Sequence, residues 1–175
     1  MPSLRTFTLH RPFAVAIAAL GMVALSPTAS AQVTKLQSNP AALILDAADV
    51  KAGTDMIFLS GQLASPIDPE KKMSMAMSVD DFGDTKTQTI SVLNKIKGLL
   101  EANGYEMADL VKLTLFVAAD PKTGKMDFTG VNDGFKMFFK TAENPTTVAR
   151  STFQVAGLVA PQFLIEIEAI AAKKR

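Results

Sequence analysis

A chain of 175 residues with 18 basic and 17 acidic side chains has no electrostatic case for gripping a polyanion such as nucleic acid. It contains no cysteine, and its single histidine is His10. Disulfides, thiolate nucleophiles and cysteine-ligated metals are therefore excluded, and the chain beyond its first segment can build neither a Ser-His-Asp triad nor a histidine zinc site. What remains for chemistry is Asp, Glu, Lys, Arg, Ser, Thr, the lone Tyr105 and the backbone. That set suits substrates already reactive toward water, unless a metal is borrowed through carboxylates.

Residues Met1–Ala31 have the layout of a secretory signal: Arg5, His10 and Arg11, then an unbroken apolar run from Phe13 to Leu25, then Ala29-Ser30-Ala31 as a small-x-small cleavage pattern. The run is 13 residues long, short of the roughly 20 needed to span a bilayer. Cleavage near Ala31 predicts a periplasmic or secreted protein, with no membrane attachment afterwards. The segment takes two basic residues and no acidic one, which leaves one domain with a net charge of −1.

Gln32–Pro40 reads as a mobile leader, so the folded domain is expected over residues 42–175 and the leader over 32–41. The short apolar runs Ala42–Asp46 and Met56–Ser60, with Gly53-Thr54-Asp55 before the second, predict a β-hairpin. A long connection follows, Gly61–Asp84, rich in Pro, Asp, Lys and Met. Within it Met73, Met75 and Met77 alternate. Thioethers can hold Cu(I), but loop methionines more commonly pack on apolar surface.

Asp84 is a good helix N-cap, and Ile90, Leu93, Ile96 and Leu100, widened by Val92 and Leu99, make the buried stripe of the helix that follows. Asn103-Gly104 is a C-terminal stop, and Met107–Leu110 has room for one more turn. Val111–Ala118 predicts a strand with Val111, Leu113, Leu115 and Val117 on one face. Asp127 predicts the cap of a second helix with Phe128, Val131, Phe135 and Phe138 along a stripe; Gly130 and Gly134, four apart, predict close approach to a sheet. Strands are expected over Thr146–Ala156 and Phe163–Ala172. The order ββαβαββ, with two amphipathic helices, predicts an α/β (α+β) fold in which both helices pack on one face of a mixed sheet.

Two places stand out for chemistry. Past the signal there are 14 Lys but two Arg, and Arg150 is the internal one. Its planar fork matches a carboxylate, and strand alternation puts it on a face with Thr152 and Gln154. It is read equally well as a ligand-binding group or as half of a structural salt bridge. In Ile165-Glu166-Ile167-Glu168 the two carboxylates share a face about 6.6 Å apart. They are read either as a solvent-facing edge or as a partly buried base with a raised pKa.

Taken together, Ala149-Arg150-Ser151-Thr152, Val155-Ala156 and Ile165-Glu166-Ile167-Glu168-Ala169-Ile170-Ala171 resemble the C-terminal signature of the Rid (RidA, YjgF-like) family. Phe128-x-x-Val131-Asn132-x-x-Phe135-x-x-Phe138-Phe139 is similar to its second helix, Val111–Val117 to its central strand, and Ser60-Gly61-Gln62 to the end of its second strand. The resemblance spans about 42–175. It implies a chorismate-mutase-like fold, a homotrimer with a ligand cleft at each subunit interface, and hydrolytic deamination of 2-aminoacrylate and 2-iminopropanoate to a 2-keto acid and ammonia, with no cofactor. It implies that Arg150 grips the substrate carboxylate, that Glu166 positions the attacking water, that Ser60 and Asn132 line the cleft, and that the backbone N–H of Thr152 binds the carboxylate. This chain reads Leu45-Asp46-Ala47-Ala48 where the family has Gly-Pro-Tyr before the second strand, and Thr152 where many members have Cys. Two other functions remain open: a non-catalytic periplasmic protein that binds a small carboxylate, and a chaperone-like or ribonuclease role credited to relatives. The absence of histidine and the near-neutral charge weigh against the ribonuclease.

Overall fold

The computed structural model describes residues 32–72 and 77–174. The expected signal segment and two of the loop methionines, Met73 and Met75, lie outside the described residues. The strands are β1 (Val33–Leu36), β2 (Ala47–Val50), β3 (Asp55–Leu63), β4 (Leu110–Val117), β5 (Ala149–Gln154) and β6 (Ile165–Lys173). The helices are α1 (Thr85–Ala102) and α2 (Phe128–Phe135), with single 3₁₀ turns at Val79–Asp81 and Met107–Asp109.

Local signals place most of these elements where the sequence predicts them. The Asp84 carboxylate accepts from Thr87 N–H at 2.8 Å and starts α1. Gly104, at a φ of 75°, ends it, and Tyr105 N–H reaches back to Leu100 O at 2.8 Å. The Asp127 carboxylate accepts from Gly130 N–H at 2.8 Å and starts α2.

The main sheet has the order β3-β6-β4-β5. β6 runs antiparallel to both β3 and β4, whereas β4 and β5, joined through α2, are parallel. The sheet is mixed, as expected. Register sorts its side chains by face, since laterally paired residues point the same way. Leu113, Leu115 and Val117 of β4 share a face with Ile165, Ile167 and Ala169 of β6, and all six are buried. That face forms one core with Val92, Leu93, Ile96 and Leu100 of α1 and Val131 and Phe135 of α2. The opposite face carries Phe58, Lys112, Thr114, Phe116, Glu166 and Glu168, and Phe58 is 69% exposed.

Three expectations are corrected. The stretch read as a mobile leader contains β1, which pairs antiparallel with β2 from Val33↔Val50 to Leu36↔Ala47. Lys35 Nζ secures it by donating to Ala108 O at 2.7 Å, Thr147 O at 3.0 Å and Thr146 Oγ1 at 3.1 Å. These partners lie more than 70 residues away, so a polar segment looked free in a local reading. The hairpin expected between Ala42–Asp46 and Met56–Ser60 is replaced by β1–β2. Ala42–Asp46 is irregular, and Leu45 is buried with its N–H on Val148 O at 3.1 Å. The order among the described residues therefore gains a strand, to βββαβαββ.

Third, Gly130 and Gly134 approach α1 and not the sheet. A Cβ on Gly134 would lie 2.8 Å from Thr89 Cβ and 3.1 Å from Lys86 O. Thr89 is fully buried and its hydroxyl donates to Thr85 O at 2.7 Å, so it has nowhere to retreat. Gly134→Ala is expected to destabilise the fold by about 1–3 kcal/mol through overpacking, although alanine is the better helix former by about 1 kcal/mol. Chemical denaturation measures this. A midpoint that stays level or rises would show that the two helices do not pack this closely.

Candidate active site

Arg150 lies on β5 opposite Leu113, so its side chain leaves the sheet on the core face, beneath α2. There it meets residues spaced i, i+4 and i+7 on one side of the helix. Arg150 Nη2 donates to Asn132 Oδ1 at 2.7 Å. Its Cζ lies 4.6 Å from the Phe135 ring centre and 5.8 Å from that of Phe128. Phe135 is fully buried and stacked on Phe139, with ring centres 4.2 Å apart, so its plane is set by the core.

No ion pair forms between Arg150 and any carboxylate among the described residues. Within one chain, then, Arg150 is not half of a salt bridge among the described residues. Burial pushes its pKa below the ordinary value, yet a guanidinium remains charged near neutrality. Arg150 Nη1 is buried without a hydrogen-bond partner, and so is Thr152 Oγ1, two residues along the same face. Arg150 and Thr152 are half-buried, but these two atoms are covered, and a covered donor and hydroxyl on one face are costly unless something anionic or polar completes them.

Glu166 is on the other face. It pairs with Phe116 on β4 and with Leu63 on β3, just past the irregularity between Leu59 and Gln62. Its side chain crosses the α-carbon of Gly61, where a Cβ would come within 2.7 Å of the Glu166 carboxyl carbon. Only glycine leaves the carboxylate that path. Glu166 is half-buried, whereas Glu168 is exposed beside Thr114. β6 lies between β3 and β4, so the reading of this strand as an edge is corrected: Glu168 faces solvent from the open face of a central strand. Ser60 is also exposed and shares a shallow groove with Phe58, Lys112, Thr114 and Glu168.

The five residues singled out in the sequence thus fall into two groups. Arg150, Asn132 and Thr152 lie on the helix-covered side of the sheet, and Ser60 and Glu166 on the open side. Within one chain the sheet separates Arg150 from Glu166. Sequence reasoning missed Phe128 and Phe135 as the rings around Arg150; the signal was available as the spacing 128, 132, 135, which the core stripe through Val131 obscured. It also missed Gly61 as the seat of Glu166. Met77 is buried in the core cluster, in keeping with the packing use of that loop's methionines.

Comparison with known proteins bears on the family and the fold. The family described as Endoribonuclease L-PSP matches residues 29–173. Among curated relatives, a 2-iminobutanoate/2-iminopropanoate deaminase of Salmonella typhimurium is 37% identical over 119 residues, 68% of this chain and 80% of that one. The protein of the same name from Escherichia coli is 36% identical over 120 residues, covering 69% and 81%. A RutC family protein of Pyrococcus horikoshii is 35% identical over 125 residues, covering 71% and 84%. Among solved structures, a Rid-family protein of unknown function from Yersinia pestis superposes with a TM-score of 0.59 at 23% identity, covering 81% of this chain and 99% of that one, which speaks for the fold. A yeast protein gives 0.50 at 29% identity, covering 82% and 99%. With its fold, its strand and helix motifs and a match over nearly all of the described residues, the chain belongs to the endoribonuclease L-PSP family, the YjgF/RidA or Rid group.

Proposed function

We propose that this protein hydrolyses small 2-imino acids, 2-iminopropanoate and its enamine tautomer 2-aminoacrylate among them, to 2-keto acids and ammonia. In this reading it works as a homotrimer outside the cytoplasm. The observation that carries the proposal is Arg150: a half-buried guanidinium with no carboxylate partner among the described residues, a covered Nη1 without a partner, and the free Thr152 hydroxyl on the same face. That is the chemistry of a receptor for a small carboxylate. Two relatives of the chain are named as deaminases of such acids.

The residues divide the work as follows. Arg150 takes the substrate carboxylate on its fork, while Asn132 holds the guanidinium from behind and Thr152 offers its hydroxyl. The imine carbon is electrophilic already, so water needs orientation and loss of a proton, not a strong nucleophile. Glu166 accepts one water proton as the C–O bond forms and passes it to nitrogen, giving a carbinolamine; it then takes the carbinolamine hydroxyl proton and delivers it to nitrogen as the C–N bond breaks. Water enters, ammonia leaves, and the carbonyl remains, with no electron transferred. Because Arg150 and Glu166 leave opposite faces of one sheet, a site using both draws Glu166 and Ser60 from a neighbouring copy. Assembly is then part of the chemistry.

The test is a deaminase assay on freshly generated 2-aminoacrylate, with the mass of the assembly measured on the same preparation. Isolated from its native cells, the protein should start near Gln32, scatter light as three chains, and release pyruvate well above the buffer rate. Buffer-rate release with pyruvate still bound would leave a carboxylate-binding protein. A monomer would sink the shared site, and a start at Met1 would sink export.

A further inference from the structure

We infer that Phe135 is a positioning residue for carboxylate recognition, acting through Arg150 by holding its guanidinium flat against the ring face. The inference rests on the reading of Arg150 as the carboxylate receptor and extends it to a residue that touches no substrate.

A guanidinium in a covered site needs electrostatic compensation, and the usual source is a carboxylate. A carboxylate would also consume the donors the site exists to offer. The face of an aromatic ring avoids that conflict. Its quadrupole stabilises the cation from below the plane, while every N–H lies in the plane and points outward. The Phe135 ring lies under Arg150 Cζ, with its centre 4.6 Å away. Asn132 then takes only Nη2, at 2.7 Å, and Nη1 is left over.

The ring itself is held from behind. Phe139 stacks on it at 21° between planes, and Phe135 has no exposed surface. Asn132 and Phe135 stand three residues apart on the same helix, so one rigid element supplies both the hydrogen bond and the platform. Phe128, the other ring near Arg150, is 45% exposed and more distant at 5.8 Å. No ring stacks on it among the described residues, and it is the weaker support.

The experiment compares Phe135→Leu, Phe135→Tyr and Val131→Ala in the full-length chain purified as its native assembly. Val131 is equally buried on α2, so Val131→Ala controls for loosened packing. Pyruvate binding is measured by calorimetry, imine turnover as KM and kcat separately, and stability by denaturation. Phe135→Leu keeps an apolar side chain but removes the π face. It should weaken pyruvate binding about 10-fold and raise KM similarly, with kcat at saturation changed less than about 2-fold. Phe135→Tyr should restore affinity, and Val131→Ala should lose stability without losing affinity. Affinity unchanged in Phe135→Leu, or lost to the same extent in Val131→Ala, would overturn the inference and leave Arg150 as the receptor. Wild type that binds pyruvate but hydrolyses no imine would overturn the deaminase reading alone, because the binding series still judges Phe135. Wild type that binds no carboxylate would overturn both.

Discussion

Glu166→Gln is expected to leave pyruvate bound with near wild-type affinity while imine turnover falls by about 100-fold or more. General acid–base assistance from a positioned carboxylate is worth about 10²–10⁴-fold, and glutamine keeps the shape and hydrogen bonding of glutamate but cannot take a proton. The substitution should be mild for the fold. Glu166 is half-buried and makes no ion pair among the described residues, so no buried partner is stranded. Stability is expected to change by no more than about 0.5 kcal/mol, as for an ordinary surface change. Steady-state kinetics and calorimetry on one preparation check both halves. Turnover unchanged in Glu166→Gln would remove the general-base role.

The position of Glu166 allows a stronger form of the same test. A site combining Arg150 of one copy with Glu166 of another is lost in either homogeneous variant. It is rebuilt at some interfaces when the two variants are unfolded together and reassembled. Mixed assemblies of Glu166→Gln and Arg150→Lys should therefore recover a fraction of wild-type turnover. No recovery, with mixed assemblies demonstrated by mass, would mean that one chain supplies both groups, contrary to their placement on opposite sheet faces.

Arg150→Lys should abolish most carboxylate binding, because a point charge cannot replace a planar fork. Truncating one side of a buried, hydrogen-bonded charge pair typically costs about 2–5 kcal/mol of affinity, which is about 30-fold to several thousand-fold. The sharper variant is Arg150→Met, which keeps much of the volume and no charge. A structural salt bridge broken on one side would lower stability by about 3–5 kcal/mol. Arg150 has no such partner among the described residues and is a desolvated cation. Its removal relieves that burial and offsets the lost contacts to Phe135 and Asn132. Binding should therefore vanish while stability drops by less than about 1 kcal/mol. A large drop in the denaturation midpoint would return Arg150 to a structural role.

The sequence by itself determined both helices, the strands around Val111–Val117 and Ile165–Ala172, and the pairing of faces along each strand. These follow from caps at Asp84 and Asp127 and from periods of 3.6 and two, which are short-range and need no partner. Alternation alone put Arg150 with Thr152 and Gln154, and Glu166 with Glu168. Only the tertiary structure decided which side of the sheet each set occupies, because that depends on register against β4, where Leu113 meets Arg150 and Phe116 meets Glu166. The strand at Val33–Leu36 was hidden for a related reason: its hydrogen-bond partners at Ala108, Thr146 and Thr147 are distant in the chain. The seat of Glu166 over Gly61 and the ring beneath Arg150 were likewise out of reach, since close approach between distant segments leaves no period to read. A one-residue slip of β5 against β4 would carry Arg150 to the open face and away from Asn132 and Phe135; the buried apolar face of the sheet forbids it.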